Sequence, residues 1–232
     1  MKKLTQMKKA SYEIREYAIV KKVAQTIRIL FISDLHFKKK SHRLALAILQ
    51  DIEDIQPDII LLGGDYSDTK KGNEVLSFFL SQLVGKAHIY CIAGNHDRWR
   101  VNRRVQSIFS KHDLDWLSNT SCKDMIKGTK VSIHTQAAAC QEEDLNILLL
   151  HEPITYTDEL SCYDVIVAGH LHGGQIVLFE KEGNLYPLRY FYKNGFLEKK
   201  INKTLYIISK GMGDLIPFRI NCKRDMVLVD IE

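Results

Sequence analysis

Eight side chains able to ligate a metal or move a proton stand in short groups along this chain, each group just after an apolar run: Asp34 and His36, Asp65, Asn95 and His96, His151, and His170 with His172. The runs at 29–32, 59–62, 89–93, 147–150 and 165–168 read as buried strands. In α/β sheets ligands gather outside the carboxyl ends of strands, so residues distant in sequence would meet in one pocket. Imidazoles mixed with carboxylate and amide oxygens suit Mn, Fe, Zn or Ni better than Ca, which takes oxygen donors alone. Asp65 follows Gly63 and Gly64, which permit a tight turn and a close approach of backbone to metal or phosphate. It is the candidate to bridge two divalent ions about 3.5–4 Å apart, between which a bridging hydroxide becomes a nucleophile at neutral pH. Asp34 and His36, at i and i+2, can project to one side. Asn95 offers an amide oxygen without added negative charge that would repel a phosphate. The expected chemistry is metal-dependent hydrolysis of a phosphate ester.

The elements that must position these groups alternate β and α in the first half. Ser41 reads as an N-cap, and Leu44, Ile48, Ile52 and Ile55 recur at helical spacing before Pro57. Further helices are expected over 74–84 and 99–111, with a strand at 88–93 between them. From Thr129 the pattern turns to short strands at 131–134, 146–150, 164–168, 175–179, 205–209 and 226–231, and the charge-interrupted segment 12–21 reads as an edge strand. Early βαβ units followed by a β-rich half imply two packed sheets with helices outside. At 232 residues, with no linker-like stretch and no repeat, the whole chain reads as one domain.

Five cysteines without CxxC spacing suggest no disulfide framework, but reduced and mostly buried thiols in a cytoplasmic protein. Lys2, Lys3, Lys8 and Lys9 could open a signal peptide, yet Ser11, Glu13, Arg15 and Glu16 follow where an apolar region is required. No apolar run approaches the ~18 residues that spanning a membrane needs. Residues 1–40 carry eleven Lys or Arg against three acids in a chain of net charge +5. Lys38, Lys39 and Lys40 behind His36 read either as a source of positive potential for an anionic substrate or as a solvated run. The basic N-terminus could rest on an anionic bilayer.

The ordered motifs SDLH (33–36), GGD (63–65), GNHD (94–97), the strand ending in His151 and GHLH (169–172) resemble the calcineurin-like metallophosphoesterase superfamily. The resemblance implies a four-layer α/β/β/α sandwich with two mixed sheets. It also implies two metal sites, one held by Asp34, His36, Asp65 and His172, the other by Asp65, Asn95, His151 and His170. His96 would protonate the leaving alkoxide or steady a phosphoryl oxygen, with Asp97 orienting its ring. Manganese is the favoured metal. GHLHGGQI (169–176) and SKGMGDLIPFRINC (209–222) are similar to the YkuE/YaeI-like branch of bacterial phosphodiesterases, which includes a UDP-2,3-diacylglucosamine pyrophosphohydrolase. The chain departs from that branch in lacking its N-terminal anchor or export signal, in a shortened 131–144 segment, and in Lys223, Arg224 and Asp225 where a Pro-Glu pair is usual.

Three readings of function follow. The first is a phosphodiester or pyrophosphate hydrolase acting on a lipid-linked nucleotide sugar. The second is a nucleotide or nucleic-acid phosphodiesterase, for which no nucleic-acid-binding module is visible. The third is a scaffold of the same fold without catalysis. Arg219 could clamp a phosphate bidentately or form a structural ion pair. Tyr186, Leu188, Tyr190, Phe191, Tyr192, Leu215, Ile216 and Phe218 could line a groove for acyl chains or a nucleobase, or be ordinary core of the second sheet. His42, His88, His112 and His134 match no motif and read as structural.

Overall fold

Apolar runs too continuous to leave either face in water become the central strands of two stacked sheets. The computed structural model describes residues 12–98, 103–118, 120–140 and 143–232. In the first half β1 (Tyr12–Ile19) and β2 (Ile27–Ile32) precede α1 (His42–Ile55), β3 (Ile59–Leu62), α2 (Lys70–Leu83) and β4 (His88–Cys91), followed by the short α3 (Asn95–Arg98) and by α4 (Arg103–Ser110). The second half brings β5 (Ser121–Ile126), β6 (Thr129–His134), β7 (Leu145–Leu149) and β8 (Val165–Ala168). A two-stranded ribbon of β9 (Phe179–Lys181) and β10 (Asn184–Tyr186) leads to the single turn α5 (Leu188–Phe191), then to β11 (Glu198–Ile201), β12 (Thr204–Ile208) and β13 (Arg224–Ile231).

Both large sheets are mixed. The first has the order β1-β13-β2-β3-β4, in which β2, β3 and β4 run parallel and the closing strand β13 enters antiparallel to β2. The second has the order β11-β12-β8-β7-β6-β5, with four parallel strands flanked by antiparallel β11 and β5. Strand alternation sends Ile29 and Phe31 of β2 into the core between the sheets, against Ile147 and Val165, while Leu30 and Ile32 face α1 and α2 through Ile48, Leu76 and Phe79. The far face of the second sheet, Leu148, Ile166 and Tyr206, is covered by Leu160 and Tyr163 of a segment containing the 3-10 turn Asp158–Cys162. The layers are therefore α/β/β with a thin fourth layer, and the parallel strands β2, β3, β7 and β8 all end at one edge.

Several boundaries differ from expectation for local reasons. Helix α2 begins at Lys70 rather than near 74, because the Thr69 side chain accepts a hydrogen bond from the Gly72 amide. Ser41 precedes α1, but its hydroxyl accepts from the Lys38 amide and caps nothing in the helix. The helix expected over 99–111 is observed as α4 from Arg103; residues 99–102 lie outside the described residues, as do Lys2, Lys3, Lys8 and Lys9. No strand runs over 175–179: Gln175 takes a left-handed φ of 56°, Ile176 makes one bridge to Ile220, and pairing resumes at Phe179. The expectation of five unpaired thiols is corrected by a disulfide between Cys140 and Cys162, whose Cα atoms lie 5.8 Å apart; Cys91 and Cys222 are buried thiols.

Candidate metal centre

The loops after β2, β3, β4, β7 and β8 meet at the shared sheet edge because their backbones bond one another directly. Asp34 N–H donates to the Gly64 carbonyl (3.0 Å) and His36 N–H to the Asp65 carbonyl (2.9 Å), continuing the β2/β3 ladder past the strand ends. Gly169 N–H donates to the His151 carbonyl, tying the β7 and β8 loops. Glycines make the approach possible: a Cβ on Gly94 would lie 2.0 Å from Asp65 Oδ1, and one on Gly169 would lie 2.3 Å from Asp34 Oδ2. Five of the seven expected ligands, Asp34, His36, Asp65, His170 and His172, have positive φ, between 40° and 69°. Such backbone strain in non-glycine residues clusters where function demands a geometry that propensity opposes.

The structure brings all seven together. Donor atoms of Asp34, His36 and His172 lie within 4.8 Å of one another, as do those of Asp65, His151 and His170. One carboxylate oxygen spans both sets: Asp65 Oδ2 is 3.7 Å from His36 Nε2 and 3.4 Å from His151 Nε2. The Asn95 amide oxygen stands 2.8 Å from His151 Nε2 and 3.0 Å from His170 Nδ1, so an oxygen and two imidazole nitrogens converge on one point. His36 Nε2 and His172 Nδ1 are buried with no hydrogen-bond partner. Burying a polar nitrogen unpaired is costly, and the His36 Nε2 lone pair, turned toward the shared Asp65 oxygen, fits a divalent cation.

Neighbouring groups fix the ring orientations. His151 Nδ1 lies 2.8 Å from the Gly63 carbonyl, which can only accept, so Nδ1 carries the proton and Nε2 presents its lone pair to the site. His36 Nδ1 lies 2.6 Å from Asp68 Oδ1, with the same consequence for its Nε2. Burial pulls the His151 pKa down, but the Asp65 hydrogen bond and the Asp34 and Asp65 charges push it up to about 9. His36 is likewise raised despite burial, by Asp68 first and then by Asp34 and Asp65. His172, where burial outweighs Asp34, falls to about 4. Three carboxylates thus hold a negative field over a cluster of imidazoles, a field in which a cation competes with protons for the same nitrogens.

Asp68 is the site residue that sequence reading missed. It lies three residues after Asp65 in a loop without apolar pattern, and its carboxylate meets His36, Lys38 (3.3 Å) and the His96 ring (Nδ1 to Oδ1 3.9 Å). The recurrence of acid at i+3 from the presumed bridging carboxylate was the available signal. His96 is partly exposed at the mouth, its ring edge-on to His36 with centroids 5.0 Å apart. Asp97 does not take the ring-orienting place expected of it. Its buried carboxylate accepts hydrogen bonds from the Asp65, Tyr66 and Gly94 amides, clamping the β3 and β4 loops together. Burial raises its pKa to about 6, the Asp65 charge adding to the rise and the three amides opposing it.

Arg219 is also placed differently from the phosphate clamp. Its guanidinium pairs with Asp214 (2.7 Å) and donates to the Gly213 (2.6 Å) and His172 carbonyls, so it is the structural ion pair and holds the 211–219 loop against the site. Leu188 is buried and Tyr186 half-buried, but Tyr190, Phe191, Tyr192, Leu215, Ile216 and Phe218 are exposed, so the aromatic density is not core of the second sheet. His134 is buried beside Ser132, His88 faces Asp124 and His112 meets Ser77, all away from the ligand cluster. A cavity of about 410 Å³ opens beside Asn95 and His151, walled by Ile92, Leu117 and Leu150 and edged by Arg98, Ser118 and Thr135.

Residues 27–174 match the family described as Calcineurin-like phosphoesterase. The chain is 27% identical to "Phosphodiesterase YaeI" of Escherichia coli strain K12, over 92% of this chain and 85% of that protein. It is 28% identical to "Uncharacterized protein YpbG" of Bacillus subtilis strain 168, over 88% of this chain and 81% of that protein. Among solved structures, an archaeal phosphodiesterase aligns with a TM-score of 0.46 at 14% identity, covering 82% of this chain and 87% of that one.

Proposed function

From the premise that the chain belongs to the calcineurin-like phosphoesterase family, we propose that it hydrolyses a phosphodiester or pyrophosphate bond at a dinuclear metal centre. The observation that supports this reading best is the single Asp65 oxygen standing between the two ligand sets. Asp34, His36, Asp65 and His172 would hold one ion, and Asp65, Asn95, His151 and His170 the other. Two divalent ions there, manganese in first place with Fe, Zn or Ni also suited to the donors, supply Lewis acidity toward the phosphoryl oxygens and lower the pKa of water. The chain's own groups do the rest. Asn95 ligates without adding charge that would repel the substrate. His96, partly exposed at the mouth, would give a proton to the departing alkoxide, with Asp68 Oδ1 3.9 Å from its Nδ1. Asp97 keeps the two ligand loops in register through backbone amides.

The cavity beside Asn95 and His151 falls at the small end of the roughly 300–1,000 Å³ typical of ligand sites. It has room for one substituent of the phosphorus, such as a headgroup or a nucleoside. A UDP-diacylglucosamine-like substrate would place that part in the cavity and lay its acyl chains outside it, over the exposed aromatic rim. The test is turnover by metal-stripped protein reloaded with Mn²⁺, comparing bis-p-nitrophenyl phosphate with UDP-2,3-diacylglucosamine and using Asn95→Ala as control. Faster cleavage of the lipid nucleotide, lost in the control, supports the full reading. Cleavage of the simple diester alone keeps the hydrolase and discards that substrate. No turnover of either with Mn²⁺, Fe²⁺, Zn²⁺ or Ni²⁺ overturns the catalytic assignment.

A further inference from the structure

Thirteen large apolar side chains are exposed among the described residues, and nine of them fall within 178–192 and 215–220, under a tenth of the chain. Contiguous exposed apolar surface on this scale marks an interaction site rather than ordinary scatter. The two segments form one surface. Val177 N–H donates to the Ile220 carbonyl and Leu178 N–H to the Tyr186 carbonyl. The Phe179 and Tyr186 rings stack at 4.7 Å, and Tyr186 meets Tyr190 edge-on at 5.0 Å. The buried Gln175 side chain holds the second segment by bonding the backbones of Leu215, Ile216 and Phe218. Tyr190 and Phe191 stand furthest out, 73% and 78% exposed.

The same surface borders the metal centre and carries positive charge. Gln175 lies three residues beyond His172, Gly213 N–H donates to the Asp34 carbonyl, and Lys38 Nζ donates to the Asp214 carbonyl at 3.0 Å. Segments 38–40, 178–193 and 214–224 together hold nine Lys or Arg against three acids, a balance of +6 in a chain whose total is +5. Asp214 is taken up by Arg219 and Arg224, which leaves Glu180 and Glu182 as the acids of the ribbon beside exposed Lys39, Lys40, Lys181, Lys193 and Lys223. Among the described residues no helix is long and apolar enough to cross a membrane.

We propose that this apolar, basic rim docks the protein on an anionic lipid bilayer, with the mouth of the metal centre turned to the headgroup layer. Tyr and Phe side chains flanked by Lys match what an interface offers: an apolar boundary under a layer of phosphates. A protein partner would be the alternative occupant, but the excess of unpaired lysines around the aromatics favours a polyanionic surface. The proposal does not depend on turnover, since docking needs neither metal nor substrate.

The test is flotation of the metal-stripped full chain with vesicles of equal parts phosphatidylglycerol and phosphatidylcholine, against pure phosphatidylcholine, at low and physiological salt. The expected result is binding to the anionic vesicles that weakens with salt. It should fall about tenfold or more in Tyr190→Ser/Phe191→Ser and in Lys39→Glu/Lys40→Glu. Tyr190 and Phe191 are exposed and outside the ligand set, so in that variant hydrolysis of a water-soluble diester and the melting temperature should not move, and the variant of the exposed Lys39 and Lys40 should keep its melting temperature. Absence of binding to anionic vesicles, or equal binding by both double variants, overturns the proposal. So does sedimentation showing a dimer that the Tyr190→Ser/Phe191→Ser variant dissolves, since the surface would then be covered by a second copy. Loss of hydrolysis with retained flotation would sink the catalytic reading alone.

Discussion

Replacing Asp68 should weaken metal binding without touching a ligand. The carboxylate accepts from His36 Nδ1 at 2.6 Å, which leaves the buried Nε2 as the donor facing Asp65. Burial raises the Asp68 pKa, but His36 and Lys38 together hold it below the usual value, so the group is ionised and the bond charge-assisted. Such bonds contribute about 1.5–3 kcal/mol, and at 1.4 kcal/mol per factor of ten their loss corresponds to roughly 10- to 150-fold. Removal of outer partners of ligating histidines costs about 10- to 100-fold in affinity or activity. Asp68 is 21% exposed, and Asp34 and Asp65 still act on His36, which argues for the lower part of the range. Asp68→Ala should therefore lose about 10- to 30-fold in Mn²⁺ affinity. Asp68→Asn, which keeps an acceptor oxygen without the charge, should lose less. The assay is competition with a chelating indicator at pH 8, since removing Asp68 also lowers the His36 pKa and at lower pH would relieve proton competition. Melting temperatures of the metal-free variants check the fold. Affinities of both variants within twofold of the parent at an unchanged melting temperature would refute the argument that Asp68 sets the His36 tautomer.

Two further outcomes follow from the same geometry. Gly94→Ala would put a Cβ 2.0 Å from Asp65 Oδ1 and 2.5 Å from its amide nitrogen, so the shared carboxylate must move; turnover at saturating Mn²⁺ should fall by about 100-fold, and a variant with near-parental kcat would show that the loop has slack that the packing denies. Burial raises the Asp214 pKa, but Arg224 and Arg219 hold it below the usual carboxylate range, so its stabilisation is complete above the unfolded pKa near 3.9 and is lost as pH falls through the folded one. The melting-temperature gap between the parent and Asp214→Asn should then be steady from pH 7 to 5 and narrow below about pH 4, whereas a gap that widens in acid would mean that Asp214 is not ionised in the native state.

What could be read in the sequence, and what could not, divides along physical lines. Strands buried on both faces announce themselves as continuous apolar runs, so β2, β3, β7 and β8 were legible, and with them the side chains that the structure gathers at their ends. The edge strands β5 and β11 were not, because they alternate charge with weak apolar character: β5 reads SCKDMI and β11 EKKI, and each is paired on one side only. Arg219 failed as a phosphate clamp for a reason that lies outside its own neighbourhood, since its fate is set by Asp214 and by the carbonyls of His172, Gly211 and Gly213 brought to it by the fold. The aromatic segment misled in the opposite direction. Its density suggested either core or groove, and only tertiary placement shows that it stands on the surface beside the site.

The deeper gap concerns conformation. Asp and His enter the left-handed region more readily than most residues, but it remains uncommon for any residue other than glycine, and Asp34, His36, Asp65, His170 and His172 all adopt it. At about 1 kcal/mol or more each, that is a sizeable share of the roughly 5–15 kcal/mol by which domains are stable. The ligand positions are therefore held by bonds that are not themselves metal bonds. The β2 and β3 loops pair amide to carbonyl from Asp34 to Phe37, and Asp97 collects three amides from the loops that carry Asp65 and Asn95. Gly211 N–H is tied to Ser209, whose hydroxyl donates to the buried Asp225. These backbone and carboxylate contacts are what bring seven residues drawn from five loops together at one sheet edge.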